Sequence, residues 1–447
     1  MAGKRDDRLR DGAQGLKRDK SREFIQEKIV RQPVSKRQIA RRILMTAFCG
    51  ALFGVVSAVC FAASGPVAQK LFGSEPVRES SQITIPKDEP ETVPPATEAV
   101  VPQEGTVETE PVEEKVREEI ANYRYSVDDI NKLFNSLRTV ASDAESSLAV
   151  VHSIQHDTDW FDNSIENTGQ FSGVIIARTR GEILLLVPEE AVEEADSLEV
   201  AFSNGELMAG EVKQKDSVVG LAMISVDATQ MENEQFKKIR AIDLGNSFGV
   251  KQGDLVVAVG APAGIVHSSD YGFISYVARN VQMTDGSMRI FYTNICGNAS
   301  AGTFLLNTSG ELIGWVTEHY ADSDGSGMTT VAAISDYKGV LEMMSNGAAV
   351  PYIGIRGQDV TQAMKENGMP SGIYVVSVET DSPAYNAGIQ PGDLVTWMNG
   401  QAVGSVKDFQ GQVEKLHPED KVKVAVQRSN GKNEYIEIEF EVTIGAR

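Results

Sequence analysis

From about residue 147 the chain reads as short apolar runs of β-type residues bounded by Gly, Asn, Asp or Ser. They are LAVVHSI, GVIIAR, EILLLV, SLEVAF, GLAMISV, DLVVAVG, FISYVAR, RIFYTNI, TFLLN, ELIGWVT and TTVAAI. Runs of this length and spacing, with few helical stretches between them, predict a mainly β body, a barrel or a sandwich, ending near Ile334. DYKGVLEMMS, residues 336–345, predicts a short helix that closes it. From Tyr352 to about Val442 the strands IYVVSVE and KVKVAVQR mix with helices expected at 360–367 and 406–416, an α+β pattern. Upstream, Val127, Ile130, Leu133, Phe134, Leu137 and Val140 recur at helical spacing, and Ser126 with Asp129 forms a capping pair. This predicts a helix over 126–142 whose apolar stripe packs on the next domain, with oligomer contacts as the alternative use.

Residues 43–63 form a different pattern, an apolar run with no charged residue. As a helix at about 1.5 Å per residue it spans roughly 30 Å, the hydrocarbon thickness of a bilayer. KRQIARR precedes it at 36–42. Positive charge stays cytoplasmic, so the segment is expected to be an uncleaved single-pass anchor. The basic tail 1–42 then lies inside and the body outside the cytoplasmic membrane. A cleaved signal peptide is the alternative, but its leading region would be unusually long. Residues 74–118 hold seven of the chain's 16 prolines, twelve Asp/Glu and no aromatic residue. Such a stretch buries too little apolar area to offset chain entropy, so a disordered acidic tether is expected there.

The net charge of −21 is unevenly spread: +8 over residues 1–44 and −29 over the rest. A body that acidic repels phosphate backbones, which excludes nucleic acid as the expected partner. Of three cysteines only Cys296 lies outside the apolar segment. No disulfide can form in the body, and the lone thiol is expected to be a small buried side chain. No cofactor or metal site is expected. Asp322 to Gly327 faintly suggests a calcium loop but lacks the distal glutamate, so a polar hairpin tip is the better reading. Asp159-Trp160-Phe161 is a loop that either binds a partner or tucks under the barrel.

SPAYNAGIQPGDLVTWMNG, residues 382–400, resembles the PDZ pattern SPA-x-x-AG-x-x-x-GD-x-x-x-x-x-NG. Gly388 and Gly392 stand where the chain must turn tightly, Asp393 can bond local backbone, and Asn399-Gly400 is a hairpin dipeptide. The resemblance implies a PDZ domain over 350–445 that binds peptide or protein C-termini by adding a strand to a sheet edge. Tyr352, Ile353, Gly354 and Ile355 resemble the carboxylate-binding loop in its HtrA-family form. By the same resemblance, Phe409 and Val413 would line the pocket for the last apolar side chain, or else serve as plain core residues.

KQGDLVVAVGAPAG at 251–264, GFIS at 272–275, LLNTSGELIG at 305–314 and GVIIARTRGEILLL at 173–186 resemble segments of the HtrA (Deg) family of trypsin-like serine proteases. The resemblance implies a chymotrypsin-like double β-barrel over 145–345, followed by the PDZ domain. It also implies a catalytic Ser, His and Asp. At the histidine's place, in VPEEAVEEAD, stands Glu190; at the aspartate's, in GLAMISV, stands Gly220. GNASAGTFLLN puts Ala301 at the serine's place, or Ser300 if one residue is inserted. Loss of the nucleophile or the histidine costs such an enzyme on the order of 10⁶ in kcat. A carboxylate at 190 could act as base only if burial made it far more basic, and Gly220 could not orient it. None of the five histidines occupies the family's position.

The expectation is therefore a membrane-anchored, extracytoplasmic, catalytically degenerate HtrA-like protein. It would bind peptides or misfolded chains in quality control or regulation. The alternatives are an active serine endopeptidase using Ser300 with an unrecognised base, and a scaffold or regulator of an active HtrA-type protease. The family also implies a homotrimer as one assembly.

Overall fold

The alternating apolar positions of the body close two six-stranded antiparallel barrels. A computed structural model describes residues 82–89, 124, 126–158, 164–320, 327–431 and 434–447. The expected anchor at 43–63, the basic tail, most of the linker, the loop at 159–161 and the segment 321–326 lie outside the described residues. Among the described residues no helix is long and apolar enough to cross a membrane.

Helix α1, Val127–Ala144, begins with the expected capping box: the Asp129 N–H bonds the Ser126 side chain and the Asp129 carboxylate bonds the Ser126 N–H. Its stripe is used only at the C-terminal end. Leu137, Ala141 and Ala144 are buried, whereas Val127, Ile130, Leu133 and Phe134 are exposed. The expected packing on the next domain is therefore corrected to the last two turns.

The first barrel comprises β1 Leu148–Thr158, β2 Ser164–Arg178, β3 Glu182–Pro188, β4 Ser197–Phe202, β5 Leu207–Asp216 and β6 Leu221–Asp227, in the cyclic order β1-β2-β3-β6-β5-β4. The second comprises β7 Leu255–Gly260, β8 Ser268–Met283, β9 Gly286–Thr293, β10 Thr303–Asn307, β11 Leu312–Val316 and β12 Thr329–Ala333, in the cyclic order β10-β11-β12-β9-β8-β7. Strand β5 has no counterpart among the apolar runs of the sequence. It is exposed or half-buried along nearly all its length, so no alternation marks it.

Strands that read as continuous apolar runs feed two cores at once. In β3, Ile183, Leu185 and Val187 fill the first barrel. Leu184 and Leu186 point the other way, into a core shared by the two barrels. In β10, Leu305 fills the second barrel, while Phe304 and Leu306 join the shared core. A period of two then puts all but an end residue of each strand out of water. Each such Val, Leu, Ile or Phe contributes about 1.5–3 kcal/mol by its burial. The shared core fixes the seam between the barrels, and the seam carries the crevice described below.

Helix α2, Asn233–Lys238, lies between the barrels in sequence, and α3, Lys338–Ser345, closes the body as expected. The PDZ unit follows with β13 Pro351–Tyr352, β14 Ile355–Asp359, α4 Gln362–Glu366, β15 Ile373–Val378, α5 Pro383–Ala387, β16 Leu394–Met398, β17 Gln401–Ala402, α6 Val406–Val413, β18 Lys421–Ser429, β19 Tyr435–Thr443 and β20 Gly445–Ala446. Its main sheet runs β14-β15-β16-β18-β19, so β14 is an edge strand. Asn399 and Gly400 both have positive φ in the turn between β16 and β17, as the dipeptide predicts. Asp393 accepts the Gln390 N–H and a two-pronged bond from Arg428.

Part of the expected tether is instead packed. Ile85 is buried in the shared core. Asp88 accepts a bond from Ser335 at 2.6 Å and pairs with the buried Lys338 at 2.8 Å. Lys87 reaches Glu414, beyond the end of α6. Two isoleucines in QITIPKDE supply the apolar area that the linker's average composition hides. Cys296, expected to be buried, is exposed.

Candidate functional site

The three triad-equivalent positions come from three turns at the barrel seam. Glu190 sits in the 3-10 turn Glu189–Ala191 directly after β3. Gly220 immediately precedes β6, and its carbonyl accepts the Glu189 N–H at 3.0 Å. Ser300 and Ala301 lie in the loop entering β10. These turns surround a crevice of about 290 Å³ lined by Glu190, Gly220, Ala299, Gly302, Thr303 and His319 among others.

The Ser300 hydroxyl donates to Glu190 Oε1 at 3.3 Å. Both residues are exposed. Ala301 is held differently: its carbonyl accepts the Ser172 N–H at 2.8 Å. Gly302 follows with φ +87°, and a Cβ there would stand 2.2 Å from the Ser172 carbonyl oxygen, so no other residue fits.

Gly220 leaves a gap that a histidine fills. The ring of His319, just beyond β11, lies against it: a Cβ on Gly220 would stand 2.7 Å from His319 Cε1. An imidazole is therefore present in the crevice, although it comes from the strand after the serine region and not from the turn after β3. Sequence reasoning missed it. Nothing in the local sequence marks it, since His319 and Gly220 stand 99 positions apart. Among the described residues no hydrogen bond joins His319 to Ser300 or Glu190. Beside it, burial pushes the Tyr320 hydroxyl up to about 12.

Acyl transfer in this fold also needs backbone donors for the developing oxyanion, the amide at the nucleophile's position and the one two residues before. Here these are Ala301 and Ala299. The Ala301 N–H already donates to Asn298 Oδ1 at 2.7 Å. Thr303 ties the same loop down, donating to the Asn298 carbonyl at 2.8 Å and accepting the Asn298 N–H at 3.2 Å. The loop thus spends a donor that a substrate carbonyl would require.

In the PDZ unit, the Tyr352–Ile355 segment turns through Gly354, with φ +90°. A carboxylate from the second barrel sits on it. Asp285, at the tip of the β8–β9 hairpin, accepts the Ile353 N–H at 2.8 Å, the Gly354 N–H at 2.9 and 3.1 Å and the Ile355 N–H at 2.9 Å. Burial pushes the Asp285 carboxyl up from its ordinary value, opposed by Arg447 and these amides. Phe409 and Val413 are buried in the PDZ core, Phe409 with only 1% of its surface exposed. Sequence reasoning did not find Asp285; its Asp-Gly turn dipeptide was the only mark.

Residues 351–440 match the PDZ domain family and residues 171–314 match the trypsin-like peptidase domain family. The chain is 27% identical over 330 residues to the serine protease Do-like HtrA of Lactobacillus helveticus, across 70% of this chain and 75% of that protein. It is 25% identical over 296 residues to the serine protease Do-like HtrA of Bacillus subtilis, across 62% of this chain and 63% of that protein. The solved structure of the HtrA-type protease AlgW with decapeptide shares the fold, with TM-score 0.50 and 22% identity over 70% of this chain and 98% of that one. The chain thus carries a trypsin-like peptidase domain followed by a PDZ domain, and over most of its length it is similar to HtrA-type serine proteases.

Proposed function

We propose that this chain is a membrane-anchored, extracytoplasmic HtrA-like pseudoprotease that binds peptide or protein C-termini through its PDZ domain, in protein quality control or regulation. The observation that carries the reading is the state of the crevice. The hydroxyl of Ser300 is bonded to an exposed carboxylate and not to an imidazole, and the Ala301 amide is bonded to Asn298. Hydrolysis needs a proton carrier beside the nucleophile and free amides beside the carbonyl oxygen. Binding an extended chain end needs neither. The anchor is residues 43–63, oriented by the basic residues at 36–42.

The Ser300–Glu190 bond favours a second reading, a serine endopeptidase in which the carboxylate takes the proton. A fluorophosphonate probe separates the two. Applied to the detergent-solubilised full chain beside an active HtrA homologue, it should label the homologue and leave this chain unlabelled. Labelling that disappears in Ser300→Ala would overturn the pseudoprotease reading.

A further inference from the structure

The carboxylate on the Tyr352–Ile355 segment is not an isolated contact. Residues 284–287 lie along the edge of the PDZ sheet. The Asp285 N–H donates to the Ile355 carbonyl at 2.8 Å, and Thr284 forms an antiparallel bridge with Arg356 on β14. On the opposite side the Ser287 N–H donates to Gln410 of α6 at 3.3 Å, and Gly286 packs on the same side chain. The hairpin tip thus runs between an edge strand and a helix and ends its recognition on a carboxylate held by three successive amides. This is the geometry of strand addition with carboxylate capture. Arg447, with its side chain only 6% exposed, backs the arrangement, donating to the Thr284 carbonyl at 3.3 Å and to Asp216 at 3.0 Å. Asp285 is 1% exposed, so no second carboxylate can reach the amides while it stays.

We propose that Asp285 is an internal ligand of the PDZ domain: it stands where a peptide's C-terminal carboxylate would stand, and a peptide binds only by lifting residues 284–287 off the groove. The proposal rests on the peptide-binding reading above and deepens it. The partner is then a chain with a free α-carboxylate, since an amidated end cannot replace the acceptor that leaves. The competition is intramolecular, so the tip acts at a high effective concentration. Its release also frees the end of the β8–β9 hairpin, an element of the second barrel. Peptide capture is therefore linked to the protease-fold body through that hairpin.

The test uses the full chain and a fluorescent library of decapeptides ending in Val, Leu, Ile or Phe, each made with a free carboxylate and with an amide. Asp285→Ala should bind the free-acid pool at least tenfold tighter than wild type, with Asp285→Asn between them, and the amidated pool should bind all three weakly and equally. Equal, measurable binding of the free-acid pool by wild type and Asp285→Ala would overturn the internal ligand and leave the peptide-binding reading standing. No binding by any variant would overturn both. Hydrogen exchange guards against misfolding of the alanine variant. In wild type the Ile353, Gly354 and Ile355 amides should exchange slowly. In a variant whose β3 and β10 amides remain protected, those three should exchange fast. Fast exchange in wild type would sink the proposal independently of any peptide.

Discussion

In the crevice between the barrels Glu190, Gly220 and Ala301 stand where the family resemblance expects a histidine, an aspartate and a serine. In the PDZ groove the backbone donors are present and a carboxylate already rests on them. The difference follows from what each site is made of. Proton transfer needs particular functional groups in particular places, so on the proposed reading Glu190, Gly220 and Ala301 would remove it by substitution alone. Carboxylate capture uses main-chain N–H groups, which almost any residue supplies, so substitution hardly touches it and only occupation closes it. On the two proposals one cleft would be altered in composition and the other in access, and only the second change would be reversible.

The largest effect expected from this contrast is on turnover. Against an active HtrA homologue on the same unstructured substrate, kcat/KM of this chain should be lower by on the order of 10⁶. A deficit of only tenfold to a hundredfold, abolished by Ser300→Ala, would break the comparison by making the crevice a working site.

Next comes the brace between the two regions. Asp216 is fully buried and bonded to Arg447 and to the Tyr337 hydroxyl. Arg447→Ala leaves that carboxylate without its cation and should cost about 3–5 kcal/mol in urea unfolding. A loss below about 1 kcal/mol would mean that the groove side is not tied to the barrels through this residue.

Gly354→Ala sharpens the comparison from the groove side. A Cβ there would stand 2.2 Å from the Ser382 Cβ, at a φ that side chains rarely adopt. The expected cost is about 1–3 kcal/mol by thermal or urea unfolding, with loss of both hairpin docking and peptide binding. Glu190→Ala, by contrast, should leave peptide affinity unchanged.

Acidity should move the groove by a smaller amount. Burial raises the Asp285 carboxyl, with Arg447 and the Ile353–Ile355 amides opposing. A raised folded-state value means that the contact's contribution is complete below the ordinary carboxylate range, about 4, and is lost as pH rises through the raised value. Exchange of the Ile353–Ile355 amides, corrected for the intrinsic rate, should therefore quicken with rising pH in wild type and lose that dependence in Asp285→Asn. The smallest effect is at the strap. Lys87 is 60% exposed where it meets Glu414, so Lys87→Ala should cost less than about 1 kcal/mol; a larger loss would give residues 82–89 a share in holding the PDZ domain.

Much of the fold was legible. Strands such as β3 and β10 announce themselves because they are buried on both faces, and the Ser126 cap marks α1 through local chemistry alone. Strand β5 did not, because neither of its faces is fully withdrawn from water and its residues carry no period. The packing of residues 82–89 was hidden for a related reason: Ile83 and Ile85 are too few to show against an acidic, proline-rich background. At the candidate site, motif spacing pointed to Glu190, Gly220 and either Ala301 or Ser300, and the structure brings these turns together at one crevice. The His319 ring against Gly220 could not be read that way, since the two residues are 99 positions apart.

The sequence by itself determined the order of the barrel body and the PDZ domain and most of their strands, which depend on residue type at short range. Only the tertiary structure decided what lies against Gly220 and what rests on the Ile353–Ile355 amides. Those outcomes depend on where a hairpin tip and a strand end arrive after the barrels close, and the shared core, not any local motif, sets that arrival.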